Sequence, residues 1–281
     1  MTLKRRLLVT YLNLFHFLFL RRKFHATYHS NCSIARLPQG SIDIITIAFN
    51  NEFLIEQQIR LIKKYITDEN YSLIVMDNST NVEKQKLIQN ICEQNGTGYV
   101  LLPRNPMYKY WKAGSYAHGF AMNWAYYNFI RFRQPKFFGF IDHDMFPISS
   151  YSITEKFNNA PEQCFYGTLR DIENKWYLWA GMCFYWFEKV KSFKINFIPC
   201  MCNGTYLDTG GNNYKNLYAK FNKSKLSFCK PAVEKTIRDG GTYHNDTIQY
   251  IDDVWIHAIN GSNWTKGLAK DDIIEEILSQ F

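Results

Sequence analysis

The stretch "FFGFIDHDMFPIS", Phe137 to Ser149, decides how the rest of the chain is read. Its first five residues have strong strand character, and they run directly into Asp142-His143-Asp144. Two carboxylates one residue apart at the end of an apolar strand are costly to bury unless something positive meets them. A divalent cation is the simplest such partner, because hard cations are shared between carboxylates and phosphates. For both carboxylates to meet one ion, a turn is expected at His143. The alternative is a strand-end turn with solvated carboxylates. In a chain with 13 aspartates, chance alone supplies roughly 0.6 Asp-x-Asp pairs, so position matters more than spacing.

Working outward, the position is informative. "IDIITIAF" (Ile42–Phe49) is a β-branched run suited to a buried parallel strand. "EFLIEQQIRLIKKY" has helical period, "SLIVM" (Ser72–Met76) reads as a second strand, and "VEKQKLIQNICEQN" as a second helix ended by Gly96. "GYVLL" follows as a third strand, then the loop "PRNPMYKYWKAG" and a long helix from Ser115 to about Arg131. Phe137–Ile141 is therefore the fourth strand of a β-α-β-α-β-α-β series. That order predicts an α/β fold with a mostly parallel sheet flanked by helices. In such sheets ligands bind at the carboxyl ends of the strands. Asn50-Asn51, Asp77-Asn78 and Asp142-His143-Asp144 all stand there and are expected to share one crevice. No Gly-x-Gly-x-x-Gly follows the first strand and no phosphate-binding P-loop is present, so a phosphorylated ligand would be neutralised by other means.

Bulk composition agrees with a large core. The chain has 281 residues, 46% of them hydrophobic, with 22 Phe, 19 Tyr and 7 Trp. The net charge of +8 suits anionic lipid or a phosphorylated small molecule. Nucleic acid is not expected as a partner, because no zinc-finger spacing or RNA-binding signature occurs. Seven scattered cysteines read as a reduced, intracellular protein.

Residues 1–30 form an appendage. Leu7 to Leu20 is mostly apolar, lies between two basic clusters, and is interrupted by Asn13 and His16. It is shorter than the about 20 apolar residues a spanning helix needs, and basic residues on both flanks break the asymmetry of a spanning anchor. A signal peptide would need a small-residue cleavage site, for which "RRKFHATYHS" is a poor candidate. An interfacial helix on an anionic membrane is expected, which makes the protein cytoplasmic and peripheral on the inner face of a membrane. The competing reading packs its Leu/Phe face on the main domain, residues 41–281.

With the motifs assembled, the chain resembles glycosyltransferases of the GT-A fold, closest to the family-two-like group. The resemblance runs from about Ile42 to Trp264. It is carried by "TIAFNN", "VMDNST", "GSYAHGFAMNWAY", "FIDHDMFP" as the Asp-x-Asp motif, "WAGMCFYW", "LDTGGN" and "WIHAINGSNW", in that order. It implies that Phe49, Asn50 and Asp77 line the nucleotide base, and that Ser115, His118 and Asn123 face the sugar-diphosphate. It further implies that Asp142 touches ribose and metal, that Asp144 binds metal, that His257 is the third protein ligand, and that Asp208 is the catalytic base. The implied cofactor is Mn2+ or Mg2+. The implied partners are a nucleotide-sugar donor, UDP-sugar favoured, and a glycan or lipid-linked acceptor. The family's Glu-Asp pair after the acceptor region is not clear, Asp208 standing alone, and His244 competes with His257.

The residues suit the implied chemistry. Direct displacement at an anomeric carbon needs a base for the acceptor hydroxyl's proton, and a carboxylate serves. Asp208 precedes Gly210-Gly211, where backbone can approach a ligand closely, although "DTGGNN" also reads as a plain turn. Trp176, Trp179 and Tyr185 are candidates for stacking on an acceptor sugar, with core packing the alternative for each. Arg104, Lys109 and Lys112 are candidates for neutralising phosphates. Two other functions compete: a metal-dependent phosphoesterase, and a non-catalytic nucleotide-sugar-binding module.

Overall fold

The computed structural model describes residues 41–103, 114–158, 160–237, 247–259 and 271–281, together with Tyr11, Leu14 and Leu18. Arg104, Lys109, Lys112, His244 and most of the N-terminal appendage lie outside the described residues.

The expected series is present. β1 (Ile42–Ala48), β2 (Tyr71–Asp77), β3 (Gly98–Leu101) and β4 (Phe137–Asp142) alternate with α1 (Glu52–Tyr65), α2 (Val82–Gln94) and α3 (Gly114–Ala125). α3 continues through a π-helical turn, Tyr126–Ile130, into Arg131–Arg133. The strands order as β3-β2-β1-β4 and pair in parallel. Past β4 the sheet changes direction. β7 (Lys175–Trp186) pairs antiparallel with β4, and β6 (Phe165–Ile172) pairs antiparallel with β7, completing six strands in the order β3-β2-β1-β4-β7-β6.

A second sheet leaves the first at the quoted motif. Residues 143 and 144 form a turn, and β5 (Met145–Pro147) then enters a four-stranded antiparallel sheet. Its order is β10-β11-β12-β5, with β10 Val233–Thr236, β11 Thr247–Ile251 and β12 Trp255–Ala258. A hairpin of β8 (Cys200–Cys202) and β9 (Thr205–Leu207) stands apart.

Burial explains why these segments hold. Side chains alternate across a strand, and β1 sends Ile45 and Ile47 into one buried cluster and Ile42, Ile44 and Ala48 into another. Phe120 and Trp124 of α3 fill the first, Ile55, Ile59 and Ile62 of α1 the second. α1 also meets the small sheet, where Leu54 joins Phe146, Ile248 and Ile256. The helix is therefore apolar on two faces, with Asn51 capping its start by accepting from Leu54 N. Gln58 stands between those faces and is fully buried. The last helix, α4 (Asp271–Leu278), adds Ile274 and Leu278 to the small sheet's core. Among the described residues, no helix is long and apolar enough to cross a membrane. The six described cysteines are free.

Candidate metal centre and its surroundings

The turn after β4 places both aspartates at the seam of the two sheets. His257 reaches the same point from β12, because its register partner is Met145, the residue after Asp144. Asp142, Asp144 and His257 each offer a ligand atom, and these atoms lie within 4.8 Å of one another. His257 Nε2 is 3.6 Å from Asp144 Oδ1, and His118 Nδ1 on α3 is 3.5 Å from Asp142 Oδ1.

The turn is fixed from behind. Gln58 Nε2 donates to the carbonyl oxygens of Asp142 and Met145, at 2.7 and 2.9 Å. The Asp144 carbonyl accepts from Ala258 N at 2.9 Å. His143 turns inward, with Nδ1 2.9 Å from the Ile47 carbonyl. The apex is thus tied to α1, β1 and β12, and Asp144 at the turn is buried while Asp142 is partly exposed.

The donor set fits a divalent cation. Asp142 Oδ1 is buried and accepts no hydrogen bond among the described residues, although the His118 imidazole stands 3.5 Å away; such an oxygen is costly unless a positive group meets it. Burial pushes the Asp142 carboxyl above the usual carboxylate range. The His118 imidazole opposes that rise, Asp144 adds to it, and His257 opposes it. Two carboxylate oxygens and one imidazole nitrogen suit a hard or borderline ion such as Mg2+ or Mn2+.

Two residues of β7 pack against the cluster. Trp179 packs against His257 with ring centroids 4.9 Å apart, and the Arg170 guanidinium lies 5.5 Å from the Trp179 ring. Gly181 faces Asp142. A Cβ there would come within 2.3 Å of the Trp179 ring and 2.6 Å of Asp142 Oδ2. Only glycine lets the indole and the carboxylate share this space.

Asp208 is half-buried on the loop after β9. Its backbone N–H donates to the Tyr177 hydroxyl at 3.2 Å, and Tyr206 OH lies 3.4 Å from its Oδ1. Thr209 Oγ1 donates to the Ser115 carbonyl at 3.0 Å. Gly210 has φ +93°, and its N–H donates to Phe197 O at 2.7 Å. The loop is thereby strapped to β7 and to the first turn of α3, one helical turn from His118.

Several sequence expectations are corrected. Asn123 is fully buried, with Nδ2 donating to Asn196 and Oδ1 accepting from Phe197 N, both at 2.8 Å. These side-chain bonds go to the Asn196–Phe197 loop, where a residue facing the sugar-diphosphate was expected. Tyr185 is buried and shares a hydrogen bond with the Tyr218 hydroxyl. Trp176 packs among Phe165, Tyr218 and Phe228. Both are core residues, which leaves Trp179 as the partly exposed member of that trio. Asp77 is also enclosed. It accepts from Ser79 N and from the Tyr99 hydroxyl, and burial raises its pKa against those bonds. It braces the strand-end loop from within, where a base-lining residue was expected. Asn50, at φ +51°, accepts from Thr80 and Asn81 N–H and ties the loops after β1 and β2, with half-buried Phe49 beside it. Gln58, Gly181 and Gln249 were not singled out from sequence. A buried Gln in the apolar stripe of "EFLIEQQIRLIKKY" was the one available signal.

No family model matches the chain, and no curated protein matches it significantly. Solved structures do. The mannosyltransferase PcManGT from Pyrobaculum calidifontis, in complex with GDP-Man and Mn2+, is 11% identical with a TM-score of 0.38. The match covers 64% of this chain and 53% of that one. The galactosyltransferase LgtC, in complex with donor and acceptor sugar analogues, is 11% identical over 54% of this chain and 60% of its own, at TM-score 0.37. The mannosyltransferase Ktr4p of S. cerevisiae is 7% identical over 66% and 67%, at 0.36. The chain thus spans about half the length of the first of these, 53%.

Proposed function

We infer that this chain is a metal-dependent glycosyltransferase of the GT-A type, moving a sugar from a nucleoside-diphosphate donor to a glycan or lipid-linked acceptor. One observation carries the reading: two aspartates and a histidine converge at the carboxyl end of β4, the last strand of the parallel series. That is where an open α/β sheet binds its ligand. The sequence resemblance supports it through the same residues, in the same order along the chain.

Asp142, Asp144 and His257 would hold the ion, Mn2+ or Mg2+. When bound, it supplies positive charge to the diphosphate leaving group, where negative charge grows. The chain's own residues do the rest. His118, beside Asp142, and the first turn of α3 at Ser115 face the donor. Asp208 removes the acceptor hydroxyl's proton. The hydroxyl oxygen bonds to the anomeric carbon as the bond to the diphosphate oxygen breaks, and the sugar's configuration inverts. Trp179 offers its partly exposed face to a sugar ring. A uridine diphosphate sugar is the favoured donor, on the resemblance.

The test is a thermal-shift panel of nucleoside diphosphates with and without Mn2+, followed by transfer assays with the nucleotide-sugar whose base stabilises the fold. A ligand that binds only the native state raises its apparent stability. Stabilisation by a nucleoside diphosphate only with Mn2+, followed by sugar transfer, upholds the reading. Release of phosphate from simple phosphoesters without sugar transfer makes the protein a phosphoesterase. Binding without turnover makes it a nucleotide-sugar-binding module.

A further inference from the structure

His257 is the inner end of a row of side chains that crosses the small sheet. Glu234 on β10 is the register partner of Gln249 on β11, and Gln249 is the partner of His257 on β12. Directly opposed residues on one face of an antiparallel sheet stand close enough to bond. Here they do so twice. Gln249 Nε2 donates to Glu234 Oε1 at 2.9 Å, and Gln249 Oε1 lies 2.9 Å from His257 Nδ1.

The chemistry of the row has a direction. A carboxylate has no hydrogen to give, so it takes the NH2 end of the Gln249 amide. The carbonyl end is then the one that meets His257. A carbonyl oxygen bonds only a donor, so Nδ1 carries the imidazole proton. Neutral imidazole protonated at Nδ1 has its lone pair on Nε2, the atom that stands 3.6 Å from Asp144. Gln249 and His257 are buried, whereas Glu234 sits exposed on the edge strand. An amide can turn end for end with almost no change in shape. Turned over, Gln249 would donate to Nδ1, the proton would move to Nε2, and an N–H would aim at the aspartates.

We propose that Glu234 and Gln249 are positioning residues that fix the tautomer of His257, so that its Nε2 lone pair is presented to the cation. This rests on the metal reading above. It adds that an exposed glutamate two strands from the centre controls the centre's third ligand.

The experiment uses the full chain with 15N-labelled histidine. The His257 signal is picked out from those of the seven histidines by its loss in His257→Asn. The tautomer is read in metal-free protein, and Mn2+ affinity is then measured by calorimetry. Wild type should carry the proton on Nδ1. In Glu234→Lys an ammonium, which only donates, replaces an acceptor, so Gln249 turns over and the proton moves to Nε2. Mn2+ affinity should then fall roughly 10- to 100-fold, the range for disturbing a ligand's supporting partner. The exchanged pair Glu234→Gln with Gln249→Glu restores an acceptor at Nδ1 and should recover both readouts. An unchanged His257 tautomer in Glu234→Lys overturns the proposal. If the tautomer follows the pattern but wild type binds no Mn2+, the relay stands and the metal reading falls.

Discussion

Gln58 Nε2 lies 2.7 Å from the carbonyl oxygen of Asp142. The same nitrogen reaches the Met145 carbonyl at 2.9 Å, so one amide closes both ends of the turn that carries the aspartates. Gln58→Leu keeps much of the volume and removes both donors. Two enclosed carbonyls lose a partner, at about 1–3 kcal/mol each. Urea unfolding should show a loss of that order, and Mn2+ titration should show weaker binding because the turn is loosened. If both measurements match wild type, Gln58 is a passive core residue.

Asp144→Ala should abolish the Mn2+-dependent part of nucleoside-diphosphate binding, since it removes a ligand whose partners are already in place. Calorimetric titration with and without chelator reads this directly. Equal binding by wild type in excess chelator would sink the metal assignment.

Asp208→Asn preserves shape and cannot accept a proton. Donor binding should persist while turnover falls by roughly 10² or more. Near wild-type turnover, or a product with retained configuration, would remove Asp208 from the role of base.

Gly181→Ala places a methyl group where the Trp179 ring and Asp142 Oδ2 already stand, at 2.3 and 2.6 Å. Overpacking of this kind costs typically about 1–3 kcal/mol. Because Asp142 is one of the two groups that must yield, Mn2+ affinity should drop along with stability. A fall in the unfolding midpoint with unchanged Mn2+ affinity would mean that the indole alone gives way.

Tyr11, Leu14 and Leu18 are helical, follow the three- and four-residue spacing of one helix face, and are exposed. With Lys4, Arg5, Arg6 and Arg21–Lys23 on either side, that face suits an anionic membrane surface. Deleting residues 1–30 should leave activity on soluble substrates and reduce sedimentation with anionic liposomes. Undiminished sedimentation would assign vesicle binding to the main domain.

The first half of the fold was legible because each segment declares itself locally. β1 is expected at 42–49 and found at Ile42–Ala48, β2 at 72–76 and found at Tyr71–Asp77, and the Asp-x-Asp turn falls after β4 as expected. The second half depends on partners far along the chain. "WAGMCFYW" resembles an acceptor-side segment, yet most of it is a strand buried on both faces, so Tyr185 turns into the core while Trp179 reaches the rim. No local pattern marks which aromatic will be covered. The bonds of Asn123 are illegible for the same reason, since Asn196 and Phe197 are distant in sequence. Gln58 shows locally only as a polar residue in an apolar stripe, and Gln249 carries no local mark, because what a glutamine does lies in what it bonds.

The seam between the two sheets has a consequence for how the protein comes into being. Asp144 and His257 are 113 residues apart in the chain, and β12 must slot between β11 and β5 before they meet. A nascent chain emerged as far as Trp186 already holds every strand of the large sheet and both aspartates, but no third ligand. Such distant pairings are made late, because the chain must first be closed over long loops. A cation that recognises only the finished arrangement would draw the folding equilibrium toward completion. It would rivet the last-made sheet to the first, so that capacity to hold the ion and completion of folding arrive in the same event.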